Sequence, residues 1–230
     1  MKDYRINGRL LSAAKFVRQG ARFADIGTDH AYLPLFLLKS GRVESAICAD
    51  INEGPLESAM SNAKEAGVTE NIDFVLTDGV SALSDRGVTD VAICGMGGEL
   101  IADIIARAPF LKDKSIRLIL GPMSKQAHLR RYLSASGFSV IAEDYVFDSG
   151  KYYLTLVVEY SENKEEISDF EAELGSLLTK EALSSAERGY LEAKAKSFKK
   201  AKDGKLAGGE NMPPEELMYE KIMEMLNAAR

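Results

Sequence analysis

The chain has 230 residues, 46% hydrophobic and 28% charged, enough to bury the core of one full α/β domain with a smaller unit beside it. Its formal net charge of −6 argues against the broad footprint of a non-specific nucleic-acid binder and leaves local basic patches to be sought one by one. No apolar run approaches the roughly 18–20 residues of a membrane span, and MKDYRINGRL has no apolar signal stretch, so a cytoplasmic protein with no membrane partner is expected.

In chain order, residues 4–19 (YRINGRLLSAAKFVRQ) place Leu10, Leu11, Ala14 and Val17 on one face of a short helix, expected to cover an edge of a sheet. From Arg22 to Tyr160 five strand-like runs follow: ARFADIG, SAICADI, IDFVLTDG, TDVAICGMG and SIRLILGPM. Helical stretches separate them, such as GPLESAMSNAKEAG with Leu56, Met60 and Ala63 at helical spacing. Five βα units predict a parallel sheet covered on both faces. Cys48 and Cys94 lie inside the apolar strand runs and are read as small core residues. After the helix KQAHLRRYLSASG, the runs FSVIAEDYVFD and KYYLTLVVEY flank Ser149-Gly150 and predict a β-hairpin. A dinucleotide-binding fold ends on a sixth parallel strand. A terminal hairpin instead predicts a class I methyltransferase domain that uses S-adenosylmethionine (SAM), Rossmann-like with a seven-stranded sheet, over residues 1–160.

Residues 161–230 change character. SENKEE reads as a linker and Ser168-x-x-Glu171 as a capping box. Ile167, Phe170, Leu174, Leu177, Leu178, Leu191 and Phe198 predict one long amphipathic helix, broken by DGKLAGGEN. Pro213-Pro214 then opens a last helix carrying Leu217, Ile222 and Leu226, giving a small coiled-coil-like α-helical domain. Residues 187–205 hold seven basic residues (Arg188, Lys194, Lys196, Lys199, Lys200, Lys202, Lys205) against Glu187, Glu192 and Asp203, a net of +4. Such a stretch is either a solvated helix face or an arm that contacts phosphates.

The chemistry gathers where strands end. Asp25, Asp50 and Asp78 close the first three strands, and in a doubly wound sheet those ends form the ligand crevice. Asp50 stands where a carboxylate holds ribose hydroxyls, with Ile51 beside it. Asp78-Gly79 offers an acceptor to an adenine amino group and room for the ring. A dinucleotide fingerprint wants G-x-G-x-x-G, but Gly27 is followed by Thr28, Asp29, His30 and Ala31, and an anionic Asp29 would repel a pyrophosphate. A cationic sulfonium tolerates that charge. Gly95, Met96, Gly97 and Gly98 end the fourth strand. Their lack of bulk suits either a methyl acceptor approaching the cofactor or a turn needing positive φ. The Asn/Asp-Pro-Pro-aromatic motif of amino-group methyltransferases is missing, and a ring-nitrogen acceptor is compatible with that. The two histidines, His30 and His128, are far apart in the chain, and no metal is expected.

Taken together, DIGTDHAYLP (25–34), ADINEGPLESA (49–59), TDG (77–79), GMGG (95–98) and RLIL-x-P (117–122) closely resemble the TrmK family of bacterial tRNA (adenine-N1) methyltransferases, which act on adenine-22 in the D-arm. The resemblance covers most of the chain, including GRL at 8–10 and the helical C-terminal part. It implies SAM as cofactor, held by Asp25, Gly27, Thr28, Asp50, Ile51, Asp78, Gly79, Gly95, Met96 and Gly97. It implies tRNA as partner, with Arg9, Gly98, Pro122, Lys194, Lys196, Lys199 and Lys200 on the substrate side. Asp29 is the candidate to accept the adenine N6 hydrogens, oriented by His30 and Tyr32, with a helix N-cap as its alternative role. One departure stands out: the family pattern has Gln-Pro-Asn after the fifth strand, whereas this chain has Gly121-Pro122-Met123, leaving Ser124, Lys125 or Gln126 to supply a polar contact. Other readings of the same residues are a SAM-binding regulator or interaction protein and a small-molecule methyltransferase. The acidic first loop and the hairpin disfavour an NAD-linked oxidoreductase.

Overall fold

The computed structural model describes residues 6–208 and 213–228. Strands β1 (Ala21–Ile26), β2 (Val43–Asp50), β3 (Ile72–Leu76), β4 (Asp90–Cys94) and β5 (Arg117–Gly121) pair in parallel. With β6 (Phe138–Asp148) and β7 (Lys151–Tyr160) they form a seven-stranded sheet in the order β3-β2-β1-β4-β5-β7-β6, in which β7 is antiparallel to both its neighbours. Strand order reverses between β1 and β4, which opens a crevice at their C-terminal ends. At the predicted hairpin, Ser149 (φ 49°) and Gly150 (φ 82°) are both left-handed, as a two-residue type I′ connection requires.

Helices α2 (Tyr32–Lys39), α3 (Glu53–Ala66), α4 (Gly98–Ala106) and α5 (Gln126–Ala135) make the crossovers, and α1 (Gly8–Phe16) packs against the antiparallel half of the sheet. The sheet separates two cores. One gathers Phe23, Leu33, Leu35, Cys48 and Ile119 under α1 to α3, the other Ile26, Ile93, Ile101, Leu118 and Leu120 on the opposite face. Two predicted core positions of this part of the chain turn outward. Leu11 is 44% exposed and Ser12 is buried in its place, because the Ser12 hydroxyl bonds Asp144 (2.6 Å) and Thr155 (2.8 Å) across the sheet. Met60 is 46% exposed, and α3 packs on Leu56, Ala59 and Ala63 instead. Residues 4 and 5 of the predicted first helix lie outside the described residues.

Beyond β7, the predicted single long helix is two. Ser168 does cap α6 (Asp169–Leu174) through a complete capping box, but a 3-10 turn over Gly175–Thr179 follows before α7 (Ser185–Ala207), which a second box, Ser184 with Glu187, opens. The break has a steric cause. Gly175 sits at φ 53°, and a Cβ there would stand 2.7 Å from Arg130 Nε. Helix α7 runs through most of DGKLAGGEN to Ala207, while residues 209–212 lie outside the described residues. In α8 (Pro214–Ala228) the buried stripe is Met218, Ile222 and Leu226; Leu217 is 54% exposed. Leu174, Leu177, Tyr190, Leu191 and Ile222 belong to the same hydrophobic cluster as Leu118, Leu120 and Leu156, so the helical segment is seated on the antiparallel edge.

Candidate active site

The loop after β1 is built to hold its polar side chains apart from regular structure. Gly27 (φ 71°) turns the chain, and the amides of Gly27 and Thr28 both donate to the Ala49 carbonyl, at 2.8 and 3.1 Å. His30 (φ 63°) and Ala31 (φ 54°) are left-handed although neither is glycine, a costly conformation that the surrounding structure must hold in place. Asn62 supports it by donating from Nδ2 to the His30 carbonyl at 3.0 Å. The N-cap of α2 is Ala31, with no side-chain cap, so Asp29 is not the helix cap. Its carboxylate is 82% exposed with His30 Nε2 3.2 Å away, and the His30 ring lies 5.4 Å from that of Tyr32.

Asp25 lies behind this loop. It is buried, accepts a hydrogen bond from the Thr28 hydroxyl (2.7 Å), and burial pushes its pKa up from 3.8 to about 6 against the pull of Thr28 and the nearby Arg9 guanidinium. Arg9, from α1, comes to the crevice: its Nη1 would be 3.1 Å from a Cβ at Gly95, and it faces the Tyr153 ring at 5.8 Å. Asp50, half-buried at the end of β2, uses one oxygen to accept from the Asn52 amide at 2.8 Å, which leaves its second oxygen available. Asp78 has a partner that no local pattern announces: Arg107, in the turn after α4, donates to it at 2.7 Å. Exposed apolar side chains, Ile51 (62%), Leu76 (53%) and Met123 (44%), follow or end β2, β3 and β5, where flat rings could cover them.

The glycines of the fourth loop have separate reasons. Gly95 requires its φ of 85°, Gly97 has an ordinary φ of −69° and begins α4, and Gly98 is buried so tightly against the Lys125 carbonyl that no side chain fits. Met96 reaches over Gly27, so the first and fourth loops touch, and a Cβ at Gly27 would require the Met96 methyl to move. The fourth loop is zipped to the fifth: Met123 N–H donates to the Met96 carbonyl and Gly98 N–H to that of Ser124, both at 2.8 Å. Gly79 (φ 69°) is also fixed by its backbone, and Ile104 stands 3.3 Å from its Cβ position.

Several residues expected on the substrate side do not face it. Gly98 and Pro122 are buried and shape the loop without offering a surface. Gly121 packs on Cys94, with 3.0 Å from its Cβ position to Sγ, and Gln126 turns back to donate to the Pro122 carbonyl at 3.4 Å. Lys125 lies 3.6 Å from Glu99, so Ser124, exposed between them, is the polar side chain left to replace the missing Gln and Asn. Lys194 points inward to Glu173, and burial lowers its pKa despite that partner. Lys202 and Lys205 pair with Glu216 (3.5 Å) and Glu215 (2.8 Å) of α8. The surface of α7 therefore presents Lys196, Lys199 and Lys200, of which Lys199 shares Asp203.

The donor set fits SAM. A crevice lined by Asp25, Asp50 and Asp78 with Asp29 at its mouth disfavours an anionic ligand, and the buried Asp25 carboxyl gains from a cationic one. No cluster of three or more metal-binding side chains occurs among the described residues, and no helix among them is long and apolar enough to cross a membrane.

Comparison with known proteins agrees with this geometry. A family model described as a methyltransferase domain matches residues 6–156. The tRNA (adenine(22)-N(1))-methyltransferase of Bacillus subtilis is 33% identical over 159 residues, which span 69% of this chain and 67% of that protein. A candidate tRNA (m1A22) methyltransferase from Streptococcus pneumoniae, crystallised with SAM, superposes with a TM-score of 0.83 at 33% identity over 96% of this chain and 100% of its own. A protein of the NADB-Rossmann superfamily from Streptococcus agalactiae gives a TM-score of 0.83 at 31% identity, covering 98% and 99%. With this sheet order, these loops and these relatives, the chain belongs to the methyltransferase-domain family and, within it, to the TrmK family of tRNA (adenine(22)-N(1))-methyltransferases.

Proposed function

We infer that this protein methylates N1 of adenine-22 in tRNA, with SAM as the methyl donor. The observation that carries the reading is the exposed Asp29 carboxylate, held at the mouth of an acidic crevice by two left-handed residues, in a chain of this family. Bound in the crevice, SAM supplies an electrophilic methyl group on a sulfonium.

The protein's own groups divide the remaining work. The free oxygen of Asp50 accepts from ribose hydroxyls, and Ile51 covers one face of the adenosine. Asp25, Gly27 and Thr28 shape the floor below, and Asp78 shares its carboxylate between Arg107 and an adenine amino group. Neutral adenine N1 already carries a lone pair, so alignment of the acceptor matters more than its deprotonation. Positive charge develops on the ring as the bond forms. Asp29 accepts the N6 hydrogens and stabilises that charge, while His30 and Tyr32 orient Asp29 and the base. Gly95, Met96 and Gly97 give the base a path with little bulk, and Arg9 lies beside that path. Residues 1–160 form the methyltransferase domain, and residues 161–230 contact tRNA through Lys196, Lys199 and Lys200 on the outer face of α7. Adenine-22 lies within a folded tRNA, so access requires the base to leave its stack.

The test is mass spectrometry of nucleosides after incubating the protein and SAM with tRNA from a strain that lacks this activity. Formation of 1-methyladenosine at position 22 is the expected result. Its absence under conditions where the protein binds SAM would reject the reading.

A further inference from the structure

Beyond the fifth loop lies a cleft of about 850 Å³ to which the methyl-transfer chemistry assigns no task. The start of α5 forms one wall with His128 and Arg131, the β6–β7 turn a second with Lys151 and Tyr152, and α7 a third with Ser197 and Phe198. Its near end is Glu99 and Lys125, the residues that directly follow Gly98 and Ser124, so the cleft begins where the active-site loops stop.

The charges in it are unequally committed. Lys194 is neutralised by Glu173, Arg131 bonds Asp169, and Lys125 lies near Glu99. His128 and Lys151 are exposed and pair with no acid among the described residues. Beside them stand two half-buried rings. Tyr152 packs under the exposed Phe147, with centroids 4.8 Å apart, and Phe198 has the Lys194 ammonium 5.6 Å from its centre. Uncommitted donors next to aromatic faces in a concave site are suited to unpaired nucleotides, whose bases stack on rings while phosphates take the cations. The cleft is also distinct from the outermost lysines. At about 100° per residue, Lys196 and Lys199 project from α7 about 100° to 180° away from Tyr190, Lys194 and Ser197, whereas Lys200 stands at the rim of the cleft, about 60° from Ser197.

We propose that this cleft holds unpaired nucleotides of the RNA substrate next to the target adenine. Lys151 and His128 contact phosphates there, and Tyr152 and Phe198 are stacking surfaces. The proposal rests on the tRNA-methylation reading and adds the path the RNA takes to the crevice. Displacing the target base from its stack frees neighbouring nucleotides, and a cleft contiguous with the acceptor loops gives them a place.

The experiment uses the full chain and an unmodified tRNA transcript containing adenine-22. Affinity for tRNA is measured over a range of salt concentrations, and SAM affinity is measured separately. The double variant Lys151→Ala/His128→Ala is expected to bind tRNA about tenfold more weakly, with a salt slope reduced by about 1 to 2, unchanged SAM affinity and a raised KM for tRNA. In the His128→Ala background, Lys151→Arg should retain more affinity than Lys151→Ala. If the double variant keeps wild-type tRNA affinity and salt slope, the cleft is not the RNA path, and a loss of both in Lys196→Glu/Lys199→Glu would place the RNA on the outer face of α7 instead. The two readings fail separately. A protein that binds tRNA through the cleft yet makes no 1-methyladenosine keeps this proposal and loses the methylation reading. A double variant that methylates with wild-type KM does the reverse.

Discussion

Asp25 is buried with one side-chain donor, the Thr28 hydroxyl, and its folded pKa of about 6 lies above its ordinary 3.8. Between those values the folded protein holds a proton that the unfolded chain releases, so this group's contribution falls as pH rises from about 4 to about 6 and is then constant. The ionised carboxylate then costs on the order of 3 kcal/mol, at about 1.4 kcal/mol per pKa unit. Asp25→Asn, which can still accept from Thr28, is therefore expected to stabilise the ligand-free protein at pH 8 by about 2 kcal/mol and to lose that advantage near pH 4. Urea denaturation at the two pH values measures it, and equal stabilities at pH 8 would contradict the assigned burial cost. Asp29 presents the opposite case, a carboxylate in solvent whose value is access. Replacing it with Ala is expected to lower kcat about 100-fold with SAM affinity unchanged, and Asn should lose as much if charge rather than hydrogen bonding is what stabilises the transition state. Single-turnover rates decide between them, and an Asp29→Ala protein with normal kcat would remove this residue from the mechanism.

At the scale of elements, the strands were legible because period and composition agree along each run: apolar and β-branched residues are bounded by Gly, Asp or Pro. Ser149-Gly150 announced the hairpin, and Ser168-x-x-Glu171 announced a helix start. What local sequence could not give was where the C-terminal helix stops. The stretch from Phe170 to Leu178 keeps a helical spacing of apolar residues, yet the chain leaves the α-helix at Gly175 to make room for Arg130. That guanidinium is buried with Glu143 at 2.8 Å and also donates to the Ala172 carbonyl at 2.9 Å, while Tyr145 (2.7 Å) and the Ser176 amide (2.9 Å) complete the Glu143 carboxylate. Although burial opposes ionisation, Arg130 and these donors hold Glu143 below the usual carboxylate range. The network joins α5, β6 and the turn after α6. Gly175→Ala would push a methyl group into it from a backbone conformation that suits glycine, and a stability loss of about 3 kcal/mol is expected by chemical denaturation. A loss under about 1 kcal/mol would show that the turn yields without disturbing the pair.

For the whole molecule, the sheet order places β1 and β4 side by side, and with them Asp25, Asp29 and Gly95, residues up to 70 positions apart in the chain. Arg9 reaches the same place because α1 packs on the antiparallel strands, and its amide is fixed by Asp148 at 3.2 Å. The sequence by itself determined the class of fold, the acids at the crevice and the identity of the first and fourth loops, because each depends on residues within about ten positions of one another. Only the tertiary structure decided which cations face solvent. Seven basic residues between 187 and 205 look alike in the sequence, yet Lys194 meets Glu173, and Lys202 and Lys205 meet acids of α8. The same holds for Arg107 on Asp78 and for the cleft that brings His128 and Lys151 together from α5 and the hairpin. A charge is set by residue type, but its availability is set by the partners that packing brings within a few ångströms, and no local pattern encodes those.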